Sequence, residues 1–234
     1  MTTVEFALEK LQEKANPDVV QSKEDRFEIV AKNSLGLYQK DIKAIAQNLP
    51  SDNALALALF DSGIYEAKLL CRQLYRYQDI TPVQMEAWVT TFENWEICDS
   101  FVMSFMAKTP HAIEKALEWS AREPEFEKRA GFVMMAAYGS ADKKAPNEVF
   151  EQFLPVIQRE ATDERIYVKK AVNWALRNIG KRNQDLRKGA IATANQILQI
   201  DSKTAQWIAK NALKELESPT VKIQDYPRHV YRHK

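Results

Sequence analysis

Glycine is scarce in this 234-residue chain, at six residues, and proline numbers nine. Turn-rich β-sandwiches and barrels need more punctuation than that, so the scarcity favours helices. Cysteine is limited to Cys71 and Cys98, which supply neither a disulfide framework nor metal-ligand spacing. Both lie in apolar helical contexts and are expected to be small core residues. Histidine is limited to His111, His229 and His233, none with a partner placed for catalysis. The sequence also lacks a Ser/His/Asp set and a glycine-rich phosphate loop, so triad hydrolases and P-loop enzymes are excluded and neither cofactor nor metal is expected. No 18-residue window is continuously apolar, and Met1-Thr2-Thr3-Val4-Glu5 has no basic or apolar leader character. The expectation is a cytosolic protein without membrane contact, associated with the nucleoid in a bacterial cell.

Helical periodicity fills the chain. Amphipathic stretches are read at 3–15, 18–32, 39–48, 53–61 and 64–77, with another opening at Thr81-Pro82. Asn16-Pro17, Gly36, Leu49-Pro50, Ser51-Asp52 and Ser62-Gly63 punctuate them. No strand-like alternation of useful length is present, so the fold class is all-α. Four stretches resemble one another: Tyr65–Leu70, Phe126–Gly131, Tyr167–Val172 and Thr204–Ala209. Each places small or apolar residues on an inner face and polar residues outside, with alanine at 67, 130, 171 and 209. Their spacing suits helical-pair repeats of HEAT or armadillo size, about 40 residues each. Stacked pairs predict a curved array with a concave groove. One repeat domain is expected over 1–218, followed by a basic, aromatic tail over 219–234 that either folds over the last repeat or reaches a nucleic-acid backbone.

Charge is balanced overall at +1, yet Arg165 to Lys188 holds eight Lys/Arg against the single acid Asp185. At 100° per residue Val168, Ala171, Val172, Ala175, Leu176 and Ile179 form a core stripe. Lys170, Arg177 and Lys181 gather opposite, with Trp174 among them. A cationic face around an aromatic plate suits a polyanion. A second informative stretch, Asn94–Phe101, puts Trp95 and Asp99 on one helix face at i and i+4. Among Cys98, Phe101, Val102 and Met103, the Asp99 carboxylate must be paired, solvated through an opening, or raised in pKa. Arg129, among Phe126, Phe132, Val133 and Ala136, needs an anion, either Asp99 in a structural ion pair or a phosphate oxygen.

Asn94-Trp95-Glu96-Ile97-Cys98-Asp99, Lys128-Arg129-Ala130-Gly131-Phe132 and Lys169–Arg177, together with Leu35-Gly36-Leu37 and Leu59–Gly63, resemble the AlkD-like DNA alkylation repair enzymes, a family of HEAT-like repeat DNA glycosylases. The resemblance covers roughly residues 30–216. It implies Asp99 as catalytic carboxylate, Trp95 and Trp174 as aromatic contacts at the lesion, and Arg129 as a backbone-contacting arginine. The cationic stretch adds Lys169, Lys170, Arg177, Lys181 and Arg182 as expected DNA contacts. The implied reaction is hydrolysis of the N-glycosidic bond of a cationic alkylated purine, 7-methylguanine or 3-methyladenine, in double-stranded DNA, by a monomer. Two other readings share the fold: a DNA-binding repeat protein without base excision, and a protein-binding scaffold. A steep salt dependence of DNA affinity separates the first two from the third.

Overall fold

The helices begin where short polar side chains can catch orphan N–H groups. Asn16 accepts from the Asp18 N–H and Pro17 opens the helix that follows. Asp52 accepts from the Leu55 N–H at 2.7 Å, Thr81 from Gln84, and Asn94 from Ile97. Later in the chain Asn183 serves Asp185 and Leu186, and Ser202 serves Ala205. The computed structural model describes residues 3–232, and among them the regular structure is entirely helical.

In order, the helices are α1 (Thr3–Gln12), α2 (Pro17–Phe27), α3 (Gln39–Ala46), α4 (Asn53–Asp61), α5 (Tyr65–Leu74), α6 (Pro82–Val89), α7 (Trp95–Ser104), α8 (Ala112–Ser120), α9 (Glu125–Ala141), α10 (Asn147–Glu151), α11 (Phe153–Arg159), α12 (Ile166–Gly180), α13 (Gln184–Leu198), α14 (Lys203–Leu216) and α15 (Arg228–Tyr231). Single 3-10 turns lie at Tyr77–Asp79 and Met106–Lys108. The first six starts fall within a residue of the positions read from the caps. The expected end near residue 32 is shorter, because Glu28 takes a left-handed conformation and closes α2 at Phe27.

Packing divides the chain into two compact units, one ending at Phe105 and the other beginning at Met106. The sequence reading expected one repeat domain over 1–218 and a tail over 219–234, and the described part of that tail, through Arg232, packs with the second unit. In the first unit α4 lies against α5, and α5 also meets α3 and α7. Its core is aromatic: Phe60, Trp88, Phe101 and Phe105 meet at ring-centroid distances of 5.2–5.8 Å. In the second unit α9 packs against both α8 and α12, and α12 meets α13 and α14. Ala67, Ala130, Ala171 and Ala209 are fully buried, as the repeat comparison expects of its inner face.

The outer face of those repeats is a different matter. Glu66 is fully buried, and Lys128 and Arg129 are 6% exposed, so three of the polar residues expected outside point inward. Glu66 explains itself through its partners. Its carboxylate accepts from the Ser34 hydroxyl and from the N–H groups of Leu35, Gly36 and Leu37, at 2.7–3.3 Å. The loop before α3 thus satisfies its backbone on one acid. Gly36 is required there: its φ is +80°, and a Cβ would fall 2.1 Å from the Asn16 carbonyl oxygen. Gly131 serves close approach instead, since a Cβ would meet the Ser120 nitrogen at 2.4 Å where α9 passes α8.

Candidate nucleic-acid interface

In the first unit the informative helix is α7. Asn94 caps it, so Trp95 is its first residue and Asp99 lies one turn on, both half-buried. The Trp95 indole N–H donates to the Phe27 carbonyl at 2.7 Å, which fixes the ring's orientation. Behind it is a buried polar chain. Glu96 accepts from the Lys23 ammonium at 2.9 Å, the Tyr65 hydroxyl at 3.0 Å and the Gln39 amide at 2.9 Å. Gln39 in turn accepts from Arg72, whose other terminal nitrogen donates to the Ser104 hydroxyl at 3.0 Å. Burial, reinforced by the Glu96 charge, holds the Tyr65 phenol well above its ordinary value. Phe27, Tyr38, Lys40 and Trp95 line an open depression of about 500 Å³ over this chain. A tryptophan held this firmly loses little rotamer entropy when it meets a ligand.

In the second unit the stripe on α12 is buried as periodicity requires: Val168, Ala171, Val172, Ala175, Leu176 and Ile179 are at most 1% exposed. Lys170 on the opposite face is exposed, and Trp174, Arg177 and Lys181 follow it half-buried. Arg177 and Lys181 each bind one oxygen of Glu215, at 2.6 and 2.7 Å. Burial alone would raise that carboxyl, but the hydrogen bonds from Lys181 and Arg177 outweigh it and hold the pKa below the ordinary value. Lys169 sits 5.0 Å over the Trp207 ring.

Two expected DNA contacts turn inward. Arg182 is 1% exposed, donates to the carbonyls of Gly139, Asp142 and Ala145 at 2.7–3.1 Å, and stacks 4.2 Å from the Phe150 ring. Counting on at 100° per residue puts Arg182 between Ala171 and Ala175 on the core stripe, away from Lys170, Arg177 and Lys181, and the turn that follows Gly180 keeps it inside. Arg129 is 6% exposed and donates to the Tyr167 carbonyl at 2.7 Å, one turn before Lys170 and Ala171 on α12. It is placed to hold the start of α12 rather than to offer an open guanidinium.

The tail folds back within this unit. Gln224 and Tyr226 donate from their backbones to the carbonyls of Lys181 and Arg182, and Tyr231 donates to Asp185 at 2.9 Å. His233 and Lys234 lie outside the described residues.

The sequence profile of the DNA alkylation repair enzyme family matches residues 7–216. The chain belongs to that family. Among solved structures, this family member is similar to a protein described as one of a new family related to the HEAT-like repeat DNA glycosylases with affinity for branched DNA structures. Identity is 16% over 94% of this chain and 97% of that one, with a TM-score of 0.75, which shows a common HEAT-like repeat fold. An engineered protein also aligns, 15% identical over 93% of this chain and 97% of its own, at a TM-score of only 0.45. No curated protein matches. Among the described residues of this DNA alkylation repair family member, no helix is long and apolar enough to cross a membrane and no group of His, Cys, Asp and Glu could hold a metal ion.

Sequence reasoning takes α14, through Thr204–Ala209, only as a repeat and not as a binding face. Trp207, Asn211 and Lys214 are exposed at i, i+4 and i+7, forming a second aromatic and cationic stripe on the helix packed beside α12. The same wheel that singled out Trp174 would have found Trp207. Glu215 leaves no such trace, because its role depends on two cations about 35 residues earlier.

Proposed function

We propose that this protein hydrolyses the N-glycosidic bond of a cationic alkylated purine, such as 7-methylguanine or 3-methyladenine, in duplex DNA. Family membership supports a repair role, and the observation that carries the chemistry is α7, where an anchored tryptophan and a carboxylate share one face. A methylated purine already bears positive charge, so it departs with the electron pair of its bond to C1′ and becomes neutral without prior protonation. Charge then develops on the deoxyribose. Asp99 stabilises that oxocarbenium character and orients the water whose oxygen bonds to C1′, the water's proton passing to the carboxylate or to solvent. Trp95 and Trp174 offer faces to a cationic base or its sugar. Lys169, Lys170, Arg177 and Lys181 carry backbone charge.

The test is release of free 7-methylguanine and 3-methyladenine from methylated duplex DNA, comparing the native protein with Asp99→Asn. Native release and a loss of at least 100-fold in the variant, with duplex affinity within a few-fold, is the expected result. A second reading, DNA binding without base excision, is favoured by the structural neighbour's described affinity for branched DNA. Salt-sensitive binding to DNA with no base release by the native protein would establish it.

A further inference from the structure

The second unit contains a cavity that the lesion chemistry does not use. It has a volume of about 690 Å³, and one wall is the C-terminal half of α12 and α14, with Arg177, Lys181, Lys214 and Glu215. The other wall is the segment after α14, through Ser218, Thr220, Lys222 and Gln224. Four cations thus face one carboxylate, and that carboxylate is already spanned by Arg177 and Lys181. Lys214 and Lys222 are exposed, and neither forms an ion pair among the described residues. Hydroxyl and amide donors complete the lining.

The second wall is built, rather than a frayed end. The Val221 N–H donates to the Ser218 carbonyl at 3.1 Å, and the Ser218 hydroxyl lies 2.9 Å from that of Thr220. The Gln224 N–H donates to the Lys181 carbonyl at 2.9 Å, so the segment is tied to the same turn that presents the Lys181 ammonium. The family profile ends at residue 216, one position after Glu215, so this wall lies outside the shared segment.

We propose that this cavity is a phosphate-binding site completed by the C-terminal segment, and that its occupant is a phosphodiester of the DNA backbone outside the lesion. The proposal rests on the DNA-binding reading above. A backbone phosphate matches the site on three counts: it is a compact anion, it accepts from ammonium, guanidinium, hydroxyl and amide donors alike, and it is repeated along a duplex already drawn to the α12 face. Glu215 tunes the site, since it aligns Arg177 and Lys181 while opposing the incoming charge.

The experiment measures binding of duplex DNA to the full chain as a function of salt, for the native protein, Lys214→Gln/Lys222→Gln and Glu215→Gln. Each exposed lysine can be replaced without disturbing the core, and circular dichroism checks the fold. The double variant should lower the magnitude of the slope of log affinity against log salt by about 1 to 2. Glu215→Gln should bind DNA several-fold more tightly at low salt. Titration with inorganic phosphate, followed by the amide signals of residues 218–224, separates the sources: a shift with short duplex at micromolar concentration but only at tens of millimolar phosphate supports the backbone assignment. Saturation by inorganic phosphate at low concentration, without any change of slope in the double variant, would overturn it in favour of a free-phosphate site. An unchanged slope with native DNA binding intact overturns the cavity alone. Absence of DNA binding by the native protein overturns both the cavity and the DNA reading beneath it.

Discussion

The two units solve one problem with opposite charges. In the first, Glu66 sits at the start of α5, fully buried, and gathers the N–H groups of a loop about 30 residues away. In the second, Arg182 sits just past α12, 1% exposed, and gathers carbonyls of the last turn of α9 and of the α9–α10 connection about 40 residues away. Each is a long charged side chain in a place where burial is costly unless its hydrogen-bonding atoms find partners, and the Arg182 Nε is left without one. What differs is the loop. Around Gly36 the backbone turns its donors inward, and between Gly139 and Ala145 it turns its acceptors inward, so the sign of the buried charge follows the orientation of the peptide groups.

That comparison can be broken at either end. Removing the acid should cost more, because a buried N–H without an acceptor is less tolerated than a carbonyl short of one donor. Glu66→Ala strands the amides of Leu35 and Leu37 and leaves that of Gly36 only the Ser34 hydroxyl, at 3.3 Å, and the expected destabilisation is about 3–5 kcal/mol, read by denaturant unfolding. The amides of Leu35, Gly36 and Leu37 should also lose hydrogen-exchange protection. Equal protection in native and variant protein would show that the loop holds itself. Arg182→Ala should cost about 2–4 kcal/mol, part of it the lost stacking on Phe150. Its exchange changes should fall around residues 142–145 and the tail near Tyr226. If DNA affinity falls while stability does not, Arg182 serves phosphate binding and not the α9–α10 connection.

The smallest expected effect sharpens the contrast between buried and surface charge. Glu215 is held below its ordinary pKa, so its interactions with Lys181 and Arg177 stabilise the fold above the unfolded carboxyl value and are lost as pH falls through the lower folded value. Its side chain is 32% exposed, and screening limits the contribution to under about 1 kcal/mol. Stability of the native protein and Glu215→Gln, measured from pH 7 down to pH 3, should therefore converge at the acid end. A constant gap across that range would mean that packing, and not charge, separates the two.

Much of the fold is written in short-range signals. Asp52 and Thr81 announce their helices because a cap acts within three residues, and the stripe on α12 is legible because helical period persists over fifteen residues. The α7 pair is legible for the same reason, since Trp95 and Asp99 are one turn apart. Other features escape because they are decided by distant groups. Glu66 follows the apolar side of α5, with Leu69 and Leu70 at i+3 and i+4, but nothing nearby reveals the loop that needs it. Counting Arg182 among the surface cations follows from its place in a cationic stretch, although helical period alone sets it in line with Ala171 and Ala175. The cavity beside α14 combines positions as far apart as Arg177 and Lys222, which no local pattern joins.

Gly131 acts as a spacer gauge. Because the absent methyl would sit 2.4 Å from the Ser120 nitrogen, the pitch between α8 and α9 is set by the smallest side chain available, and any larger one would have to push the two helices apart. Two residues earlier on α9, Arg129 grips the Tyr167 carbonyl at the head of α12. A change of one methyl at a buried crossing would therefore be transmitted, as a displacement of a rigid rod, to the helix that presents Trp174.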